Sequence, residues 1–303
     1  MAIRTWGVPA ALGEARVLHP GPLRWLRALG WMVALLFAIT IPAGLAITGL
    51  DSLLPEGGPS YVISNSVGAL LCLLLYGLLV WGGEARRPDE LGWRALPVDL
   101  VAGLLIGLLM FAAVMGLMSV FGLYDIAWKG PASAWEAAGA SIQSGVMEEV
   151  LIRGVVLRLL WRAFGPWAAF AISAVLFGAG HLGNPNASVF AALCIAVEAG
   201  IMLGAFYALT GRLWVSIGVH AAWNFTQGYL FGAAVSGTDF GPAVAVSTAR
   251  PGFADYLTGG PFGPEASLPA LIVGTLVGVG VLVMAWKAGR FDRRPAATDA
   301  ASG

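Results

Sequence analysis

The feature that most constrains this chain is a series of apolar runs, each about 20 residues long and separated by short polar segments. A helix needs about 20 apolar residues to cross the roughly 30 Å hydrocarbon core of a bilayer. Eight runs suit this length, at residues 28–50, 61–82, 98–121, 134–161, 166–182, 187–209, 213–233 and 267–288. The sequence therefore predicts an all-α fold, a polytopic membrane helix bundle of about eight transmembrane helices.

The composition agrees with a bundle in lipid. The chain is 58% hydrophobic and 11% charged, with a mean hydropathy of +0.80, which leaves too little polar surface for a soluble domain. The net charge is zero and the basic residues are dispersed, so we expect the lipid bilayer as a partner and no nucleic acid. Cys72 and Cys194 both lie in apolar runs and are predicted to be packed helix residues rather than a disulfide.

The basic residues predict an orientation. With eight spans, 15 of the 17 Lys and Arg residues fall on one side, and only Lys129 and Arg250 fall on the other. Cytoplasmic loops carry the excess of Lys and Arg, so we expect an integral membrane protein with both termini in the cytoplasm. The excess of Arg over Lys is typical of GC-rich bacterial genomes, which favours a bacterial cytoplasmic membrane.

Six segments follow from this topology. They are a cytoplasmic N-terminal segment (1–27), the N-terminal transmembrane helices (28–121), a transmembrane core that holds the polar motifs (122–233), an extracytoplasmic loop (234–266), the last transmembrane helix (267–288) and a cytoplasmic tail (289–303). The long Gly- and Pro-rich loop is interpreted either as a cap over the external face or as a tether.

The fourth run contains two adjacent glutamates, Glu148 and Glu149, followed by Arg153. An ionisable side chain at the bilayer centre costs about 2.5–3.5 kcal/mol on insertion scales, which makes it a candidate functional residue. On a helix, Glu149 and Arg153 are four residues apart and pair on one face, whereas Glu148 is rotated by about 100° toward a different environment. We expect Glu148 to face a cavity as a candidate general base. The alternative is that both glutamates pair with arginines at the cytoplasmic helix end.

Two further runs carry polar pairs with the same spacing. In the fifth run Phe177 and His181 share a helical face, and the small residues between them allow another backbone to approach closely. In the seventh run His220 and Asn224 can aim two hydrogen-bond donors at one point, as a developing oxyanion requires. The alternative for both pairs is hydrogen bonding between helices, but three such pairs on three spans favour a common site.

The motifs E-E-x-x-x-R, F-x-x-x-H and H-x-x-x-N, in this order on separate predicted membrane helices, resemble the CPBP family. This family comprises the CAAX prenyl endopeptidases and bacterial relatives linked to bacteriocin processing and immunity. The resemblance covers residues 100–233 and includes the stretch G-A-F-Y-A-L-T-G-R-L-W at 204–214, which is similar to the family's connection between the sixth and seventh helices.

The resemblance implies an intramembrane endopeptidase that hydrolyses a membrane-associated or lipidated, CAAX-like protein by a glutamate-activated water. It makes Glu148 the base that polarises the water, with His181 assisting. His220 and Asn224 would stabilise the tetrahedral oxyanion. The supporting residues, which would hold the helix and set the local field, are Glu149, Arg153 and Phe177.

The resemblance favours catalysis without a metal cofactor, but the residues also permit a zinc-dependent enzyme. Glu148, His181 and His220 form a plausible ligand set with water as the fourth ligand. The chain lacks the H-E-x-x-H helix in which zinc ligands and base share a face. Glu198, midway along the sixth run, belongs to none of the three motifs, and its role stays open.

Two functions other than proteolysis remain open at this point. A non-enzymatic immunity or binding protein on the same scaffold would sequester a peptide or a membrane partner. A proton-coupled transporter would use the same buried carboxylates, but such folds usually show paired repeats and broken helices in both halves. Here the ionisable residues concentrate in the fourth to seventh runs, which counts against transport.

Overall fold

The computed structural model describes residues 6–292. The predicted N-terminal segment and C-terminal tail extend past both limits, so Arg4, Arg293 and Arg294 of the orientation argument lie outside the described residues. Within this range the chain is almost entirely helical, which confirms the predicted all-α membrane bundle.

Residues 6–292 form nine helices and two short strands. The helices are α1 (Arg24–Leu53), α2 (Gly58–Glu84), α3 (Leu96–Val120), α4 (135–164), α5 (Pro166–Gly180), α6 (Val189–Thr210), α7 (214–230), α8 (Asp255–Thr258) and α9 (Leu268–Lys287), and the strands are β1 (Tyr124–Trp128) and β2 (Ala245–Ala249). Short 3₁₀ turns lie at Arg16–Leu18, Asp89–Leu91, His181–Gly183, Gly260–Phe262 and Pro264–Ala266. Each of the eight predicted spans lies on one of the eight long helices.

The long helices divide into an outer group and an inner group. Six of those in the described part are long and apolar enough to cross a membrane: α1, α2, α3, α5, α6 and α9. Only 17% of the apolar window of α1 is buried inside the protein, against 61% of that of α6, so α1 faces lipid and α6 is central. The other two long helices, α4 and α7, carry the glutamates and His220, and both are largely buried.

Close contacts between small residues bring the inner helices together. A Cβ added at Gly145 of α4 would lie 2.8 Å from the Cβ of Ala221 in α7. A Cβ added at Gly178 of α5 would lie 2.2 Å from the carbonyl oxygen of Ala192 in α6. The predicted close approach beside His181 is therefore confirmed at Gly178, and the contact at Gly145 places the two glutamates against the His220 helix.

The inner helices contain widened, π-helical turns. These turns are Ser144–Glu148 and Val150–Leu157 in α4, Ala196–Ile201 in α6 and Thr226–Leu230 in α7. A π turn holds an extra residue and changes the direction in which its side chains and carbonyl groups point, and such turns are frequent at functional sites. The predicted site residues of α4 lie within or directly beside them.

One end of the bundle, which we call the strand end, carries a two-stranded sheet that the sequence did not predict. Strands β1 and β2 pair antiparallel, with Tyr124 opposite Ala249 and Trp128 opposite Ala245. The strands are far apart in the chain, so no local turn signal marks them as a pair. The predicted loop 234–266 supplies β2 and folds back on itself, with Gly237 N donating to the Phe262 carbonyl at 2.7 Å. It is a cap over this end rather than a tether.

The opposite end, which we call the basic end, is held by buried ion pairs. Arg158 of α4 donates to both carboxylate oxygens of Glu84 in α2, at 2.9 and 2.7 Å. Arg86 donates to Glu84 at 2.7 Å and to both oxygens of Glu90 at 2.8 and 2.7 Å, and Tyr76 donates to Glu90. We refer to Glu84, Arg86, Glu90 and Arg158 as the paired cluster. It fastens the N-terminal helices to α4.

Candidate active site

Glu149 is the centre of a buried hydrogen-bond network between α4 and α7. Its Oε1 atom accepts from Arg153 Nη1 at 2.7 Å and contacts His220 Nδ1 at 2.9 Å. The Glu149 and Arg153 side chains are both fully buried. The predicted pairing of Glu149 with Arg153 is therefore confirmed, and the structure adds His220 as a second partner of the same carboxylate.

Arg153 links α4 to α5 and α6 as well. Its Nη2 atom donates to the carbonyl of Ala199 at 2.8 Å, within the π turn of α6. Its guanidinium lies over the Phe177 ring, 4.6 Å from the ring centroid, where the negative face of the ring attracts a cation. The Phe177 ring also contacts the ring of His220, with the two centroids 6.2 Å apart. Phe177 thus packs between the arginine and the histidine.

His181 lies at the end of α5, as the span pattern predicted, and begins a 3₁₀ turn. Its ring packs edge-on against Phe177, with the centroids 4.8 Å apart, which confirms that the two share a face. The His181 Nδ1 atom lies 2.8 Å from the Phe177 carbonyl oxygen. Because a carbonyl oxygen only accepts, we assign the proton to Nδ1, and Nε2 of the neutral ring is then a hydrogen-bond acceptor.

His220 and Asn224 are buried side by side on α7. His220 Nε2 lies 3.9 Å from Glu148 Oε2, which is longer than a hydrogen bond but short enough for both atoms to contact one water or one substrate oxygen. Asn224 Nδ2 donates to Ser144 Oγ at 3.0 Å, and Ser144 donates to the Ala140 carbonyl at 2.9 Å. One amide hydrogen of Asn224 is therefore fixed by α4.

Glu148 differs from Glu149 in its surroundings, as their spacing predicted. Its side chain is 35% exposed, whereas that of Glu149 is fully buried. Its Oε2 atom is buried and has no hydrogen-bond partner within residues 6–292. In the same part of the chain, no hydrogen bond or ion pair joins Glu148 directly to His181, so the structure connects Glu148 to the site through His220.

A narrow cavity lies between α5, α6, α7 and the cap. Its volume is about 30 Å³, enough for one or two water molecules. It is lined by Phe177, His181, Ile195, Glu198, Ala199, Met202, Leu203, His220, Trp223, Asn224, Ser236 and Glu265. The last two residues belong to the loop 234–266, so the site extends beyond the predicted core of residues 122–233.

Three cavity or site residues were not predicted from the sequence. Ser144 lies four residues before Glu148, and its position on a predicted span was the only signal for it. Ser236 and Glu265 lie in the Gly- and Pro-rich loop, where no periodicity relates them to the motifs. Glu198, which the motifs left unexplained, is 1% exposed and lines the cavity wall.

The proposed zinc ligands do not assemble as a metal site in this conformation. Among the described residues, no group of three or more His, Cys, Asp or Glu side chains has a geometry that holds a metal ion. Glu148 does not line the cavity that His181 and His220 share. Whether the activity needs a metal remains a prediction that chelation tests.

Comparison with known proteins agrees with the motifs. Residues 130–226, about one third of the chain, match a family model described as type II CAAX prenyl endopeptidase Rce1-like. This part of the chain is therefore similar to the Rce1-like type II CAAX prenyl endopeptidases. Neither a curated protein nor a solved structure gives a significant match.

The match confirms the resemblance to the CPBP family, because all three motifs lie inside the matched residues. The match is to a family of CAAX endopeptidases, which supports a membrane peptidase, and the apolar helices place the chain in a lipid bilayer. The matched residues end before the cap. Ser236 and Glu265 are therefore placed beside the site by the structure and not by the family match.

Proposed function

We propose that this chain hydrolyses a peptide bond of a membrane-associated or lipidated protein by direct attack of a water that Glu148 activates. The observation that carries the proposal is the contrast between the two adjacent glutamates. Glu149 is held by Arg153 and His220, whereas the Glu148 carboxylate is partly exposed and has one buried oxygen without a partner. A carboxylate without a partner is free to accept a proton from water.

The proposed reaction is the hydrolysis of a peptide bond by one water molecule. The water oxygen attacks the carbonyl carbon of the substrate while a water proton passes to Glu148. The resulting tetrahedral oxyanion collapses, the carbon–nitrogen bond breaks, and the departing amine takes the proton. The products are a new carboxyl terminus and a new amino terminus, and Glu148 returns to its ionised form.

His181 and His220 support this step from two sides. With Nδ1 of His181 donating to the Phe177 carbonyl, its Nε2 can accept a hydrogen bond from the water and orient it. With Nδ1–H of His220 donating to Glu149, the protonated ring carries a second N–H at Nε2, and this group is left to donate to the substrate oxyanion. Asn224 adds an amide N–H beside it, so the two α7 residues are proposed to stabilise the oxyanion.

The proposal is tested by cleavage of a panel of membrane-anchored peptides, some with a lipidated C terminus, by the purified protein. Wild type is compared with Glu148→Gln and with the exposed control Glu56→Gln, each with and without a strong chelator. We expect Glu148→Gln to lose cleavage by at least about a thousandfold, while Glu56→Gln and the chelated wild type retain it.

Two results would contradict the proposal. Cleavage by Glu148→Gln at a rate near that of wild type would exclude Glu148 as the general base. Activity that is lost to the chelator and restored by zinc would make Glu148, His181 and His220 metal ligands instead.

A further inference from the structure

The cavity carries two acidic residues that the proposed hydrolysis does not use. Glu198 of α6 and Glu265 of the cap both line the cavity that His181, His220 and Asn224 share. They are 1% and 2% exposed. Glu198 approaches α9 so closely that a Cβ added at Gly274 would lie 2.5 Å from the Glu198 Cβ. The packing therefore fixes the Glu198 backbone at this wall.

Among the described residues, no Lys, Arg or His side chain lies within the 4 Å distance of an ion pair from either acid, although His181 and His220 line the same cavity. Glu198 Oε2 is buried and has no hydrogen-bond partner there, and no Lys or Arg of residues 6–292 pairs with either carboxylate. Glu265 Oε1 accepts from Ser236 N at 2.6 Å and from Ser236 Oγ at 2.7 Å. These are neutral donors, so they do not compensate the charge of a buried carboxylate.

A cation close to this pair would remove the cost of burying it. Burial raises the pKa of Glu265, and the hydrogen bonds from Ser236 and the nearby rings of His181 and His220 only partly oppose this effect. The raised pKa favours the neutral acid, so an ionised pair in this position would be stabilised by a cation bound directly beside both carboxylates. A metal ion is a poor candidate, since no group of three ligands assembles in the described part.

The size of the cavity selects among organic cations. A space of about 30 Å³ fits a compact ammonium group, and the planar guanidinium of arginine is larger. The wall beside the acids is apolar, with Ile195, Met202 and Leu203, and suits the methylene stem of a lysine. The same cavity reaches His220 and Asn224, so a lysine held here lies next to the bond that the proposed reaction cleaves.

We propose that Glu198 and Glu265 form a subsite that binds the ammonium group of a substrate lysine close to the cleaved bond. The inference rests on the proposed peptidase activity, because the cavity shares His181, His220 and Asn224 with the proposed active site. It gives the substrate a feature that the motifs do not specify, namely a positive charge within an otherwise apolar, membrane-anchored segment.

The test uses a peptide that the wild type cleaves and varies it near the cleaved bond. At each of the three positions on either side, lysine is exchanged for norleucine, which keeps the apolar stem and removes the charge. We expect kcat/KM for the lysine peptide to exceed that for the norleucine peptide at least tenfold at one position. Glu198→Gln and Glu265→Gln are expected to reduce this ratio to near one, and the exposed control Glu56→Gln to preserve it.

The outcomes separate this inference from the proposed function. A wild-type ratio near one at all six positions, or a ratio that both glutamine variants preserve, would overturn the lysine subsite and leave the peptidase proposal intact. Failure of wild type to cleave any peptide would contradict both. Two variants from different elements are used so that a folding defect in one of them still leaves a decisive measurement.

Discussion

Two regions of helix α4 differ in how their buried charged side chains are paired. Near the basic end, Arg158 and Glu84 form two parallel hydrogen bonds, and Arg86 and Glu90 complete the paired cluster. In the middle of the same helix, the Oε2 atoms of Glu148 and Glu149 are buried without partners within residues 6–292. The difference separates charges that hold the fold from charges that are available for chemistry.

The paired cluster and the cavity also involve different elements of the fold. The paired cluster connects α4 to α2 and to the turn at Asp89–Leu91, none of which contributes to the cavity. The cavity residues come from α5, α6, α7 and the cap. Substitutions at the two places should therefore change different properties, stability at one and cleavage at the other.

The largest expected effect is at Arg158. Replacing it by Met leaves the fully buried Glu84 with Arg86 as its charged partner and a hydrogen bond from Trp31, and breaking a buried pair on one side typically costs about 3–5 kcal/mol. We expect the free energy of unfolding in detergent micelles to fall by this amount for Arg158→Met. The exposed Arg94→Met serves as the control. A loss below about 1 kcal/mol would mean that the paired cluster does not hold the fold.

The next effect is expected at the contact between α5 and α6. Gly178→Ala places a Cβ against the Ala192 carbonyl, and such overpacking typically costs about 1–3 kcal/mol. The clash should also displace His181, three residues further along, and slow cleavage. The matched control is Gly180→Ala, whose added Cβ meets no atom within 4 Å. Equal stability and activity of the two variants would show that this close approach does not position the site.

A smaller effect is expected from Ser144. Ser144→Ala removes the acceptor that fixes the Asn224 amide and leaves the amide buried. A net loss of about 1 kcal/mol in the transition state corresponds to a fall in kcat of roughly five- to tenfold. We expect KM to stay unchanged, because the amide is proposed to act on the oxyanion. A change in KM alone would assign Asn224 to substrate binding instead.

The smallest effect is expected at the surface. Arg250 and Asp125 form an exposed pair beside the sheet, with Arg250 Nη2 2.7 Å from Asp125 Oδ1. The hydrogen bond from Arg250 lowers the pKa of Asp125, so any stabilisation is complete at neutral pH and is lost only as the pH falls through this lowered pKa. Arg250→Ala should leave cleavage and the melting temperature at pH 7 unchanged. A clear drop in either would mean that this exposed pair supports the cap.

The sequence predicted most of the bundle because length and apolarity alone decide which segments cross a membrane. The eight predicted spans lie on the eight long helices, and the motif spacing placed Glu149 beside Arg153 and Phe177 beside His181. These are contacts within one helix, so the residue number determines them.

Contacts between segments that lie far apart in the chain could not be predicted from the sequence. The bond between His220 and Glu149 depends on how α4 and α7 pack, which the small residues Gly145 and Ala221 permit but do not specify. The β1–β2 pair and the placement of Glu265 in the cavity depend on the path of a loop rich in Gly and Pro. No periodic pattern encodes such a path.

The most direct test of this account compares Glu148→Gln with Glu84→Gln by two measurements, the cleavage rate per folded molecule and the free energy of unfolding. We expect Glu148→Gln to abolish cleavage and leave the free energy of unfolding within about 0.5 kcal/mol of wild type. Glu84→Gln should lower the free energy of unfolding by about 2 kcal/mol or more and retain cleavage per folded molecule. Loss of stability in Glu148→Gln with retained cleavage, or loss of cleavage in folded Glu84→Gln, would contradict the division between the paired cluster and the site.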